Sequence, residues 1–132
     1  MSLARTLTLK SRSDKRGSLV AIEGQIDIPF NIKRVYYIFN THANVSRGGH
    51  AHKNLEQIVI CLKGSCRFIL DDGKKREEII LDNPTRGLMI VKNTWREMHD
   101  FTSDCILMVL ASEHYDESDY IRNYQDFLYL SN

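Results

Sequence analysis

The sequence predicts an all-β fold, a small antiparallel sandwich or barrel finished by one short C-terminal helix. Three observations carry this expectation. Short β-type segments recur about every ten residues, turn residues separate them, and helical periodicity appears only at the end. Residues 19–22 (LVAI) follow the Arg16-Gly17-Ser18 break, and 34–39 (RVYYIF) are β-branched and aromatic. Residues 56–62 (EQIVICL) are almost wholly β-forming and stop at Lys63-Gly64-Ser65. Segments 66–70 and 77–81 flank Asp71-Asp72-Gly73, whose Asp-Gly pair marks a hairpin. Asn83-Pro84 breaks the chain before 87–91, and 95–101 and 105–111 complete the strands. The stretch 116–122 is acidic at its start, as a helix N-terminus prefers, and Ile121, Tyr124 and Leu128 share one helical face.

The chain of 132 residues is long enough for one real core and too short for two, so 1–132 reads as a single domain. Eighteen Lys+Arg against seventeen Asp+Glu give a net charge of +1, with the signs interspersed. That balance argues against nucleic acid or an anionic membrane surface as a partner. No apolar run has the length of a membrane span, and MSLARTLTLK lacks the apolar stretch of a signal peptide. Cys61, Cys66 and Cys105 are odd in number with no CxxC pair, which suits reduced thiols and a cytoplasmic location. Cys61, Cys66 and Trp95 read as core residues, because no sequence-adjacent base marks either thiol.

The chemistry concentrates in Arg47-Gly48-Gly49-His50-Ala51-His52-Lys53-Asn54-Leu55-Glu56. His50 and His52, two apart on an extended segment, point to one face, and Glu56 shares it if pairing is regular. Buried imidazoles must be hydrogen-bonded, bind a metal or move protons; the plain alternative is a pair of exposed loop histidines. HxH, three residues, Glu and then Gly64 resemble the first cupin motif, in which such side chains ligate a divalent ion. The final ligand would follow Trp95, and there the chain has Arg96, a permanent cation that disfavours a metal. His99 has the opposite strand parity to Arg96 and so should face away. No metal and no other cofactor are expected.

The wider match is to the cupin-fold nucleotide-sugar 3,4-ketoisomerases, which act on dTDP-4-keto-6-deoxyglucose. The sequence resembles them in Arg16-Gly17-Ser18-Leu19, in 28–38 (IPFNIKRVYYI), in Arg47-Gly48-Gly49-His50-Ala51-His52-Lys53, in Trp95-Arg96-Glu97-Met98, and from Val109 through Arg122. The resemblance implies a cupin-type jelly roll, a homodimer with exchanged N-terminal strands, and transfer of a carbonyl from C4 to C3 of a dTDP-linked 6-deoxyhexose. Neutral imidazoles suit proton removal beside a ketone. His50 is assigned as the base at C3 and His52 as the group moving protons between O3 and O4, though the two roles could be exchanged. Arg47, Tyr37, Arg16, Arg96 and Lys53 are the expected substrate contacts, with cations for the diphosphate and a Tyr37 hydroxyl for the sugar or a phosphate. The family implies a downstream aminotransferase making a 3-amino-3,6-dideoxy sugar for a surface glycan. The match over 18–23 favours the galacto product, while Arg96, where many members of the family carry His after the Trp, leaves the gluco product open. Three other readings compete: a dTDP-sugar 3,5-epimerase, a non-catalytic sugar- or nucleotide-binding cupin, and a metal-dependent oxygenase. An epimerase would use a His–Asp pair and a Tyr acid, and no Asp adjoins either histidine in the sequence.

Overall fold

The structure, a computed structural model, describes residues 2–131, so the first and last residues of the expected 1–132 domain lie outside it. Two five-stranded sheets pack face to face as the cupin-type sandwich that the sequence predicts. One runs β1 (Arg5–Thr8), β9 (Arg86–Ile90), β6 (Gln57–Lys63), β11 (Ile106–Ala111), β4 (Arg34–Ile38). The other runs β12 (Tyr120–Ile121), β5 (Arg47–His52), β10 (Trp95–His99), β7 (Cys66–Asp71), β8 (Arg76–Leu81). Every named strand pairing is antiparallel. β2 (Ser11–Asp14) and β3 (Gly17–Val20) form a separate ribbon whose residues are exposed except Val20.

Alternation along the strands sorts residues into layers. Val59, Cys61, Phe68, Leu70, Leu88, Ile90, Leu107 and Val109 meet between the sheets. On β6 the other set, Ile58 and Ile60, is also buried, beneath Leu9, Ile28 and Phe30 of the N-terminal segment. A strand covered on both sides must be apolar at successive positions, which explains the continuous run in 58–62. On the far side of the second sheet, Ala51, Trp95 and Ile121 pack against Phe127 of helix α1 (Tyr124–Ser131).

The C-terminal expectation needs correction. Residues 116–122 do not begin the helix. Asp116 caps a 3₁₀ turn at Glu117–Asp119, accepting from Ser118 N–H at 3.0 Å, and Ile121 pairs with Ala51 as a strand residue. The acidic residues are consumed by local capping, and the chain is drawn straight onto the edge of β5. Helix α1 starts only at Tyr124, with the Asn123 side chain accepting from Asp126 N–H at 3.0 Å. The strand expected at 19–22 lies at Gly17–Val20, and beyond it the chain folds back to bring Ile22, Ile28 and Phe30 over the first sheet.

Candidate active site

One end of the sandwich interior is polar. Arg34 and Tyr36 of β4, Gln57 of β6, His50 and His52 of β5, and Arg96 of β10 occupy inward positions there. The approach of β5 to β10 depends on Gly48, whose φ is +81° and where a Cβ would meet the Arg96 carbonyl oxygen at 3.0 Å. The register between the two strands shifts at Arg96/Glu97, a bulge that Gly48 accommodates, and His50 then lies opposite Arg96.

The imidazoles stand edge to face, with ring centroids 4.9 Å apart. Tyr120 lies against both, 5.0 Å from His50 and 4.3 Å from His52. His52 is fully buried, and its Nδ1 donates to the Asp119 carboxylate at 3.1 Å. A carboxylate only accepts, so the proton sits on Nδ1 and Nε2 is the basic nitrogen. Asp119 also accepts from the Asn54 and Leu55 backbone N–H groups at 2.8 and 3.3 Å. His50 Nδ1 and His52 Nε2 are buried and make no hydrogen bond within the protein.

Burial, then the Arg96 charge, then His52 push the His50 imidazole down to about 3. Burial and Arg96 likewise bring His52 to about 4, against the opposing pull of Asp119. Both rings are therefore neutral at pH 7. Arg96 itself is 1% exposed and donates to the Thr94 carbonyl at 2.9 Å and to Gln57 Oε1 at 2.5 Å. Gln57 Nε2 donates in turn to the Tyr36 hydroxyl at 2.9 Å.

A cavity of about 540 Å³ opens over this cluster, lined by Arg34, Tyr36, Arg47, His50, Tyr120 and Arg122 beside apolar Ile38 and Met98. Three arginines line it, Arg122 with its guanidinium donating to the Glu117 carboxylate at 2.9 Å, and among the described residues no carboxylate is part of the lining. Arg34 Nε and Nη2 are buried without a hydrogen-bond partner. The arrangement suits an anionic ligand with a neutral base at its reacting end. Among the described residues no three His, Cys, Asp or Glu side chains converge as a cation site.

Of the seven residues that the sequence nominates, the cavity takes two directly, His50 and Arg47. His52 is fully buried beneath Tyr120 and is not part of the cavity wall. Arg96 is sealed behind the histidines and contacts protein groups instead of the cavity. Tyr37 is 65% exposed on the opposite face of β4, beside Phe39, because strand alternation gives the inward place to Tyr36. Arg16 projects from the β2–β3 turn, paired to Asp14 at 2.6 Å, and does not reach the cavity of its own chain. Lys53 lines a neighbouring groove that shares Tyr120 and Arg122 with the cavity. Glu56 falls beyond the end of β5, its N–H donating to Ser112 Oγ at 2.8 Å, and does not line the cavity. His99 faces away as expected, 2.9 Å from Glu97.

Sequence reasoning missed Arg34, Tyr36, Gln57, Asp119, Tyr120 and Arg122. The dense polarity of 116–122 was a signal for the last group, but only folding shows that Asp119 meets a histidine 67 positions earlier. That contact also corrects the argument against an epimerase: a His–Asp pair with an adjacent tyrosine is present, so its supposed absence discriminates nothing. The three cysteines are buried, and burial raises each thiol above its ordinary range, in keeping with a packing role.

Two outcomes follow from this electrostatic arrangement. The unfolded chain takes up protons on these histidines below pH 6.5 while the folded one resists, so stability is full above that pH and falls on acidification towards pH 4. Urea midpoints across pH 4–8 should show this fall, and His50→Asn should reduce it; equal slopes in both proteins contradict the assigned shift. Asp119→Ala leaves buried donors unmade and should cost at least about 2 kcal/mol in urea unfolding, with Asp119→Asn intermediate. An unchanged midpoint for the alanine variant contradicts the buried contact.

Comparison with known proteins points to the same chemistry. The family model described as FdtA, WxcM-like, C-terminal, matches residues 3–132. A TDP-4-oxo-6-deoxy-α-D-glucose-3,4-oxoisomerase from Aneurinibacillus thermoaerophilus is 58% identical over 123 residues, covering 93% of this chain and 88% of that protein. The TDP-quinovose 3,4-ketoisomerase WlaRB of Campylobacter jejuni is 53% identical with a TM-score of 0.93, covering 98% of this chain and 99% of that one. A histidine-to-asparagine variant of the 3,4-ketoisomerase QdtA of Thermoanaerobacterium thermosaccharolyticum, solved with TDP-4-keto-6-deoxyglucose, is 46% identical with a TM-score of 0.96, covering 99% and 95%. Nucleotide-sugar epimerases match at 17% and 18% identity and share the fold alone. With its family model spanning nearly the whole chain, the protein belongs to the FdtA family of WxcM-like C-terminal domains.

Proposed function

We propose that this protein is a TDP-4-keto-6-deoxyglucose 3,4-ketoisomerase. The observation that carries the reading is His50, a neutral imidazole on the wall of a cavity that three arginines and no carboxylate line among the described residues. The arginines suit the diphosphate, with Arg47 beside the Gly48-Gly49 turn and Arg122 stacked over Tyr120 at 4.2 Å. Lys53, in the adjoining groove, extends this cationic surface towards the nucleotide.

In the reaction His50 takes the proton from C3, the electrons of that C–H bond form the C3=C4 double bond, and the C4=O π electrons pass to O4. The proton of the neighbouring O3 hydroxyl moves to O4, the C3=O bond forms as the C3=C4 electrons return to C4, and C4 receives the proton held on His50. Atoms balance without an external oxidant. A depressed imidazole is a weak base, and the negative charge of a bound diphosphate would raise it when substrate arrives. His52, fixed by Asp119, backs the His50 ring and keeps it aimed.

The functional unit in this reading is a homodimer. The β2–β3 ribbon extends with Leu19 58% exposed, and β1 is the edge strand of its sheet beside β9. Exchange of this N-terminal segment would give the ribbon a surface to cover and carry Arg16 towards the partner's cavity. The galacto product is assigned on the Arg16-Gly17-Ser18-Leu19 block, and an aminotransferase acting on the new 3-ketone is the consuming reaction. The protein works in the cytoplasm, where its sugar nucleotide is made.

Proton NMR of the protein with dTDP-4-keto-6-deoxyglucose in D2O, with EDTA present, tests the activity. A 3-keto sugar should appear with deuterium at the reacting carbon, and the C4–H coupling reads the configuration. His50→Asn should slow this by about 10²–10⁴-fold. Deuterium at C3 and C5 with the ketone still at C4 makes the protein an epimerase instead. Sedimentation at micromolar concentration should give a dimer, and a monomer removes the exchanged-strand reading.

A further inference from the structure

The buried chain Arg96–Gln57–Tyr36 has a direction that can be deduced from donor chemistry alone. A guanidinium has only N–H donors, so the amide atom that meets Arg96 must be the Gln57 oxygen. Gln57 is 3% exposed and cannot turn to solvent, so its NH2 group faces Tyr36. An amide NH2 only donates, so the phenol oxygen accepts at 2.9 Å and its own proton cannot point back at Gln57. Tyr36 lines the same cavity as His50, and its hydroxyl makes no other hydrogen bond among the described residues. The Arg34 guanidinium lies 5.4 Å from the centre of the Tyr36 ring and braces it against the cavity wall.

We propose that Tyr36 is a catalytic hydrogen-bond donor, its proton turned into the cavity by the Arg96–Gln57 pair and hydrogen-bonded to the substrate oxygen on which charge builds. Arg96 and Gln57 are positioning residues in this scheme, since neither reaches the substrate. The proposal deepens the ketoisomerase reading and rests on it for the identity of that oxygen. When His50 removes the C3 proton, negative charge develops on O4, and a preorganised donor stabilises it. Burial raises the Tyr36 hydroxyl above its usual range, so the phenol keeps its proton throughout the neutral range.

The device makes an unusual expectation for Gln57→Glu. The new carboxylate would still accept from Arg96 but would also accept from Tyr36, so the phenol proton would turn away from the cavity while the hydroxyl stays in place. Tyr36→Phe should lower kcat by about 10²–10³-fold, with the dTDP dissociation constant within twofold of wild type. Gln57→Glu should lose most of the same factor, and the double variant should be no slower than Tyr36→Phe alone. Wild-type kcat in either single variant, or multiplied losses in the double variant, overturns the proposal.

A second measurement separates this from the ketoisomerase reading. Substrate labelled with ¹³C at C4 is bound to His50→Asn protein, in which turnover should be slow enough to record its carbonyl resonance. A downfield displacement that disappears when Tyr36→Phe or Gln57→Glu is added supports the donor, even if the wild-type enzyme proves to act at another carbon. A bound resonance that neither substitution moves overturns it, as does failure of the labelled sugar to bind.

Discussion

A guanidinium held in the interior without a carboxylate against it is the constraint on which the site depends. Arg96 is buried between the sheets and satisfied by the Thr94 carbonyl and the Gln57 amide oxygen. Removing a cation from water costs several kcal/mol, and without a paired anion that cost is spread over dipoles and the more distant Asp119. Burial brings Arg96 down to about 10, so it is still charged at neutral pH. Burial and then its field keep both imidazoles neutral, and its donors fix which way the Gln57 amide points.

Around this charge the fold performs a separation. Antiparallel alternation puts apolar side chains of β6, β7, β9 and β11 at one end of the interior, and Arg34, Tyr36, Gln57, the histidines and Arg96 at the other. The packed end is rigid, so the polar end can hold groups at fixed distances without relying on the ligand to order them. Helix α1 contributes from outside by covering Trp95 and Ala51, which secures β5 and β10 from behind. The 3₁₀ turn then delivers Asp119 to His52 and Tyr120 to both rings.

Much of this was legible before folding. Eight strand positions follow from β-branched runs and Gly, Asn and Pro breaks, with bounds within a residue or two of expectation, while β1 and β2 were not read and β12 was expected as helix. His50, His52 and Arg47 were legible because residues two apart on an extended segment share a face and because the surrounding blocks match a family. Tyr37 and Tyr36 were not separable, since RVYYIF offers a tyrosine to each face and only pairing with β11 decides which is inward. Arg96 was legible as a departure from the metal-binding pattern, but its burial was not.

Local period and residue chemistry were enough for the all-β class, for two histidines on one face and for an arginine directly after Trp95. Tertiary structure alone decided that Asp119 meets His52 across 67 positions, that Gln57 links Arg96 to Tyr36 across 39 and 21, and that Arg34 and Arg122 share a cavity with Arg47. Gln57–Arg96 joins β6 of one sheet to β10 of the other, Gln57–Tyr36 joins β6 to β4 within one sheet, and Asp119–His52 joins the 3₁₀ turn to β5; no local periodicity encodes any of these distances. They arise only when the apolar faces close on each other and bring the polar ends into register.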